Sequence, residues 1–173
     1  MKRIMVFMIA ALIAIVAKAD RPAKVIELGR PIMVSEFQNS SNQQIFKFAP
    51  VKATYFAIES RSAWDGQPFA AISEFDVYDA WGQDIPHEKW SVAYVDSEEL
   101  AKEDGKAENA IDGENRNHWH TRWSDMKPDH PHVIVVNLGA EYEIAGVRYL
   151  PRQTMGAGRI RTFAIYAGKD IVK

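Results

Sequence analysis

The chain has 173 residues, no cysteine, and 21 basic against 23 acidic side chains, for a formal net charge of −2. That balance lacks the basic excess of a general nucleic-acid binder, and the missing thiols rule out disulfides as a source of stability. Five tryptophans supply flat rings for a core or for a ligand platform.

Lys2 and Arg3 are followed by the apolar run Ile4–Val16 and by Ala17-Lys18-Ala19, which fits a small-x-small cleavage pattern. Residues 1–19 are therefore expected to be a signal peptide. An uncleaved anchor is disfavoured because a spanning helix needs about 20 apolar residues. The expected product, residues 20–173, is secreted or periplasmic, carries no membrane span, and is long enough for one domain with its own core.

Beyond the signal, short β-rich runs alternate with turn residues, the pattern of an all-β sandwich. Strands are predicted at Gln44–Phe48, Thr54–Glu59, Ser73–Tyr78, Ser91–Val95, His132–Leu138, Ile144–Leu150 and Arg161–Ala167. Val133–Val136 is continuously apolar, so its strand is predicted to be central and covered on both faces. Glu98–Glu108, acidic and lysine-rich around Gly105, is read as a solvated loop in preference to a single helical turn. No repeat, low-complexity tract or linker divides the chain.

The segment Glu108–Trp123, ENAIDGENRNHWHTRW, concentrates the chemistry. Gly113 after Asp112 suits a tight turn, and Asp112, Glu114 and Asn117 offer oxygens that a wrapped loop can aim at a hard cation. An Asx-turn with no ion is the alternative. His118 and His120, like His130 and His132, would share a strand face, a geometry compatible with Zn²⁺ or Cu²⁺. Packing and hydrogen bonding is the preferred role for these histidines. Trp119, alternating with His118 and His120, is expected in the core.

Several motifs resemble the discoidin, or coagulation factor V/VIII type C, family, which overlaps carbohydrate-binding module family 32. Within residues 85–173 the matching pieces are WSVAYVDSEE, ENAIDG with HWHTRWS, HPHVIVVNLG, and YEIAGVRYLPRQ followed by GRI. These resemble the family's first part. Residues 28–80 resemble its second part, in GRPIMVSEFQNSS, QIFKFAPVKATYFAIESRS and PFAAISEFDVYDA. The resemblance implies a galactose-binding-like jelly-roll β-sandwich whose strand order is circularly permuted. A tail of one domain joined to the head of another is the competing arrangement. Permutation is preferred because two half-sandwiches would expose open apolar faces and unpaired edges. It requires the chain's end to lie near Leu28–Pro31 and Glu74 to meet Asp112.

The family commonly holds one structural Ca²⁺ in this loop. Carried over by position, the resemblance implies Asn109 through its backbone oxygen, Asp112, Glu114 and Asn117, closed by Glu74 with Ser73. Asn117 stands where threonine is usual. In sugar-binding members an arginine is followed five residues on by asparagine. Arg152 matches the arginine, but Ala157 holds the asparagine's place, which weakens galactose-type recognition. His120, Trp123, Trp64, Phe69 and Arg159 remain candidates to line a cleft. No nucleophile elbow, metalloprotease helix or phosphate loop is present, so no enzyme is predicted. The expected function is non-catalytic binding of a glycan or cell-surface polysaccharide. The rival is an adhesion or structural protein that contacts another exported protein.

Overall fold

The structure, a computed structural model, describes residues 27–171. The predicted signal peptide and Lys173 lie outside the described residues. Seven strands are present among them: β1 (Met33–Glu36), β2 (Gln44–Ser60), β3 (Ala71–Tyr78), β4 (Ser91–Val95), β5 (Trp119–His120), β6 (His132–Pro151) and β7 (Thr162–Gly168). Two 3₁₀ turns, His87–Lys89 and Ala107–Ala110, are the only helical pieces described. All strand pairs are antiparallel.

The predicted strands Gln44–Phe48 and Thr54–Glu59 are the two halves of β2, and His132–Leu138 and Ile144–Leu150 are the two halves of β6. Both strands bend at irregularities where unequal numbers of residues face each other, between Lys47 and Val51 and between Ala53 and Tyr55 on β2. Such bulges turn a strand from one layer into the next. Gly139, with φ of 79°, lies in the bend of β6. One layer is then β1–β7–β2–β6–β4, built on Tyr55–Ser60 and on the β6 partners Val133–Val136. The other is β2–β6–β3–β5, built on Gln44–Lys47 and Gly146–Tyr149.

Apolar side chains from both layers meet in one core. Phe56, Ile58, Ile134, Val136, Phe163 and Ile165 come from the first layer, and Phe75, Val77, Val147 and Tyr149 from the second. Phe37 bridges them, stacked 3.7 Å from Tyr149 and 3.8 Å from Phe163. Val133–Val136 is buried on both faces as predicted. Ile134 and Val136 enter the main core, while Val133 and Val135 join Ala57, Ala164 and Tyr166 in a second cluster.

The two halves of the sequence form one body. β7 lies between β1 and β2, and β2 lies between β7 and β6. Near the ends of the described region the Glu27 N–H donates to the Ile171 carbonyl at 3.0 Å, and Ile32 N–H to Ile165 at 2.8 Å. Two separate half-sandwiches do not describe this arrangement.

The segment Glu98–Glu108 needs correction. It is a loop only in part solvated: Leu100, Ala101, Lys102, Asp104 and Lys106 are exposed, but Glu99 is fully buried, Gly105 and Ala107 are buried, and the 3₁₀ turn Ala107–Ala110 begins within it. Charge counting hid a carboxylate that binds backbone rather than water. β1 and β5 escaped the sequence pattern because each is too short to show alternation.

Candidate functional site

Glu99 organises one end of the sandwich. Its Oε1 accepts Ala101 N–H at 2.9 Å, Lys102 N–H at 3.0 Å and the Ser124 hydroxyl at 2.9 Å. Its Oε2 accepts Trp123 N–H at 2.9 Å and Ser124 N–H at 2.8 Å. Burial alone would raise its pKa. The donors from Trp123, Ser124 and Lys102 outweigh that and hold it at about 2. One anion thereby clamps the loop after Glu99 to the loop after β5. Gly105 is required between them, since a Cβ there would stand 2.9 Å from the Glu99 carbonyl oxygen.

The clamp delivers Glu103 and Trp123 to a common point. Trp123 Nε1 donates to Glu103 Oε1 at 2.8 Å. Arg152 NH2 lies 3.7 Å from Glu103 Oε2, His118 Nε2 3.7 Å from the same oxygen, and His120 Nδ1 3.8 Å from Oε1. β5 explains the histidines: Trp119 points into the core and donates to the Ser97 carbonyl at 2.9 Å, so His118 and His120 face the other way.

The neutral forms of both histidines are favoured. Burial, then the Arg152 charge, lowers His118 to about 4, and burial lowers His120. Neither ring nitrogen of His118 has a protein hydrogen-bond partner, although both are buried. Unsatisfied buried polar atoms are costly, so they mark a place where a polar ligand is useful.

The other predicted ligand residues divide. Phe69 packs 5.7 Å from His120, with Lys127 over its ring at 5.9 Å. Arg159 sits behind the cluster, donating to the Arg152 carbonyl at 3.2 Å. Trp64 is turned elsewhere: its Nε1 donates to the Phe37 carbonyl at 3.1 Å and Arg161 covers its ring at 4.9 Å. Where asparagine is absent, the Arg152 guanidinium donates to the Ala157 carbonyl at 3.5 Å and to the Thr154 hydroxyl at 3.3 Å. Glu103 and His118 were not singled out as ligand residues from sequence. The facing rule for a strand carried a signal for His118. Glu103 had none, being one acid in an acidic loop.

The Asp112 loop lies against β3. Gly113, with φ of 82°, lets its N–H donate to Glu74 Oε1 at 2.8 Å. Asp112 Oδ1 accepts Glu114 N–H at 2.9 Å, and Oδ2 accepts the Asn117 amide at 2.8 Å. Burial, then the neighbouring Asp112 and Asp76, push Glu74 up to about 8 against the single Gly113 donor. Glu74, Asp112 and Asn117 are thus brought together, Glu74 meeting the Asp112 loop through the Gly113 N–H. Glu114 joins only through its backbone. Asn109 is buried, with its amide donating to the Asp104 and His118 carbonyls.

Ser73 Oγ, Asn109 Oδ1 and Asn117 Oδ1 are buried oxygens without protein partners. Two carboxylates with orphaned neutral oxygens fit a hard divalent cation. Among the described residues no group of three or more His, Asp or Glu is placed to hold a metal ion.

In the second histidine pair, His130 Nδ1 lies 3.3 Å from the Ser60 hydroxyl and carbonyl while its buried Nε2 has no protein partner. His132 is fully buried between Asp96 Oδ2 at 2.7 Å and the Pro68 carbonyl at 3.0 Å.

Comparison with known proteins places these features. The F5/8 type C domain model matches residues 93–173. A sialidase of Micromonospora viridifaciens is 43% identical over 79 residues, covering 45% of this chain and only 12% of the sialidase. The matched span carries the Glu103–Arg152 cluster, the Asp112 loop and strands β5 to β7, while β2 and β3 complete a galactose-binding-like sandwich around it. Residues 93–173 thus match the F5/8 type C, or discoidin, domain family.

Proposed function

We propose that the chain is an exported, non-catalytic binding module that recognises a glycan, such as a cell-surface polysaccharide, through the loops around Glu103. The observation that carries this reading is the convergence of Glu103, Arg152 and the unpartnered ring of His118 beside Trp123. Charged acceptor and donor, neutral imidazole and an aromatic wall are the groups that satisfy sugar hydroxyls and cover an apolar ring face. Binding is shallow and weak, because Ala157 supplies no amide. The sandwich is held by Ca²⁺ in the Asp112 loop, with Glu74, Asp112 and Asn117 as charged and amide oxygens and Ser73 and Asn109 nearby. The strand order is a circular permutation of the family's, which accounts for β2 and β3 preceding the matched segment.

A glycan array followed by titration calorimetry tests the reading. Arg152→Ala and Glu103→Gln should each weaken binding about tenfold or more while melting like the parent. Absence of binding to any glycan at high protein concentration sinks it. A second reading, adhesion to another exported protein, is favoured by Ala157 and by the exposed Met155, 59% accessible, in the same loop.

A further inference from the structure

The far end of β3 carries an arrangement the Glu103 cluster does not use. Trp81 is 85% exposed, the most exposed of the large apolar side chains described. Its backbone is nonetheless locked. Asp79 Oδ1 accepts both Trp81 N–H and Gln83 N–H at 2.9 Å. The Asp79 N–H donates to the Gln83 carbonyl at 2.9 Å, and Gly82 N–H to the Asp79 carbonyl at 3.1 Å. Gly82, at φ of 83°, closes the turn, and Arg148 NH2 ties its carbonyl to β6 at 3.0 Å. An indole on such a turn is presented with little backbone entropy left to lose on binding.

Beside it lies a groove of about 450 Å³, floored by the outward face of the second layer. That volume is within the roughly 300–1,000 Å³ of small-molecule sites. Tyr78 lies flat across the sheet there: a Cβ on Gly146 would stand 2.1 Å from its ring, and its hydroxyl donates to the Phe46 carbonyl at 3.0 Å. Arg148 covers the Tyr78 ring at 4.6 Å and pairs with Asp84. Ile45, Phe48 and Pro50 form the opposite wall, with Lys47 among them.

The charges decide the class of occupant. Lys47 and Arg148 are balanced by Asp79 and Asp84, so the groove attracts neither an anionic membrane nor a polyanion. It presents the exposed Trp81 indole beside the donors Lys47 and Arg148 and the acceptors Asp79 and Asp84, the complement of a neutral polyhydroxylated ring. We propose that the Trp81 turn and the Tyr78–Lys47 groove form a second binding site, for a neutral polysaccharide chain. β3 spans eight residues between the two ends, so the sites stand roughly 25 Å apart along it. Two weak sites at that spacing raise avidity on an extended glycan.

Affinity electrophoresis of the full chain through gels containing galactan, xylan, mannan or mixed-linkage β-glucan tests this, with heparin gels and phosphatidylserine vesicles as further arms. At least one neutral gel should retard the parent and Arg152→Ala, whereas Trp81→Ala and Lys47→Ala should lose about tenfold in affinity. Trp81→Phe should retain part of it. Because Trp81 is exposed, thermal melting should show the parent's midpoint for all Trp81 variants. Several outcomes overturn the proposal: no retardation of the parent by any neutral gel, equal retardation of parent and Trp81→Ala, complete loss in Arg152→Ala, or Trp81-dependent binding confined to heparin or vesicles.

Discussion

Glu99 and Glu74 are carboxylates withdrawn from water at two loops of the same sandwich, and they titrate in opposite directions. Glu99 receives five hydrogen bonds and is held at about 2. Glu74 receives one from backbone, faces Asp112, and is pushed to about 8. Burial raises both equally in sign, so the difference lies in the donors. Glu99 is a finished structural anion, complete without any ligand. Glu74 is an unfinished one, with a single backbone donor and the Asp112 carboxylate beside it, and it is here that the proposed Ca²⁺ would sit.

The comparison is broken most forcefully at Glu99. Glu99→Ala removes the buried acceptor of the backbone donors at Ala101, Lys102, Trp123 and Ser124 and should cost about 3–5 kcal/mol in urea unfolding. It should also abolish glycan binding, because Glu103 and Trp123 lose their shared anchor. If Glu99→Ala melts within a degree of the parent, the clamp is misread.

Ca²⁺ sharpens the other side. Saturating Ca²⁺, at a hundred times its Kd, should stabilise the parent by about 2.7 kcal/mol and leave Glu74→Gln nearly unmoved. An unchanged melting midpoint with and without chelator removes the cation from the account.

In chelator the pH profile follows from the sign of the Glu74 shift. A folded pKa of about 8 means the folded state binds the proton more tightly than the unfolded chain. That contribution is complete below the ordinary carboxylate range and is lost as pH rises through about 8. The parent should therefore melt lower at pH 8.5 than at pH 5.5 by more than Glu74→Gln does, and Ca²⁺ should suppress the difference. Glu99 has the opposite sign, its contribution being lost only as pH falls through about 2.

The smallest expected effect is at Asp96. His132 is raised because Asp96 outweighs the lowering by burial. Its contribution is present below about 6.5 and lost as pH rises through the raised folded value. Asp96→Asn should cost about 1–2 kcal/mol at pH 6 and less at pH 9, measured by urea unfolding.

Strand alternation made most of the fold legible in advance. Each of the seven predicted segments is a strand or half of one, because period-two patterning reports which face is buried wherever a strand exceeds four or five residues. It could not report that β2 and β6 each continue through a bulge into the second layer, since a bulge is a mismatch against a partner and not a property of one segment. At the ligand end, Arg152 and His120 were visible through motif spacing. Glu103 was invisible because its neighbours in sequence are acids and lysines that solvate, while its neighbours in space are Trp123, His118 and Arg152. The Trp64 contacts with the Phe37 carbonyl and Arg161 were equally unreadable, since a tryptophan in a loop carries no mark of which way its indole turns.

The sequence by itself determined the sandwich class, the buried central run Val133–Val136 and the turn at Asp112-Gly113. These depend on local periodicity and on backbone angles only glycine tolerates. Tertiary structure alone decided the fate of each buried charge. Whether a buried glutamate is held ionised, as at Glu99, or has its pKa raised, as at Glu74, depends on how many donors the fold aims at it. Three of the five donors at Glu99 arrive from 24 or 25 residues along the chain, and the one at Glu74 from 39.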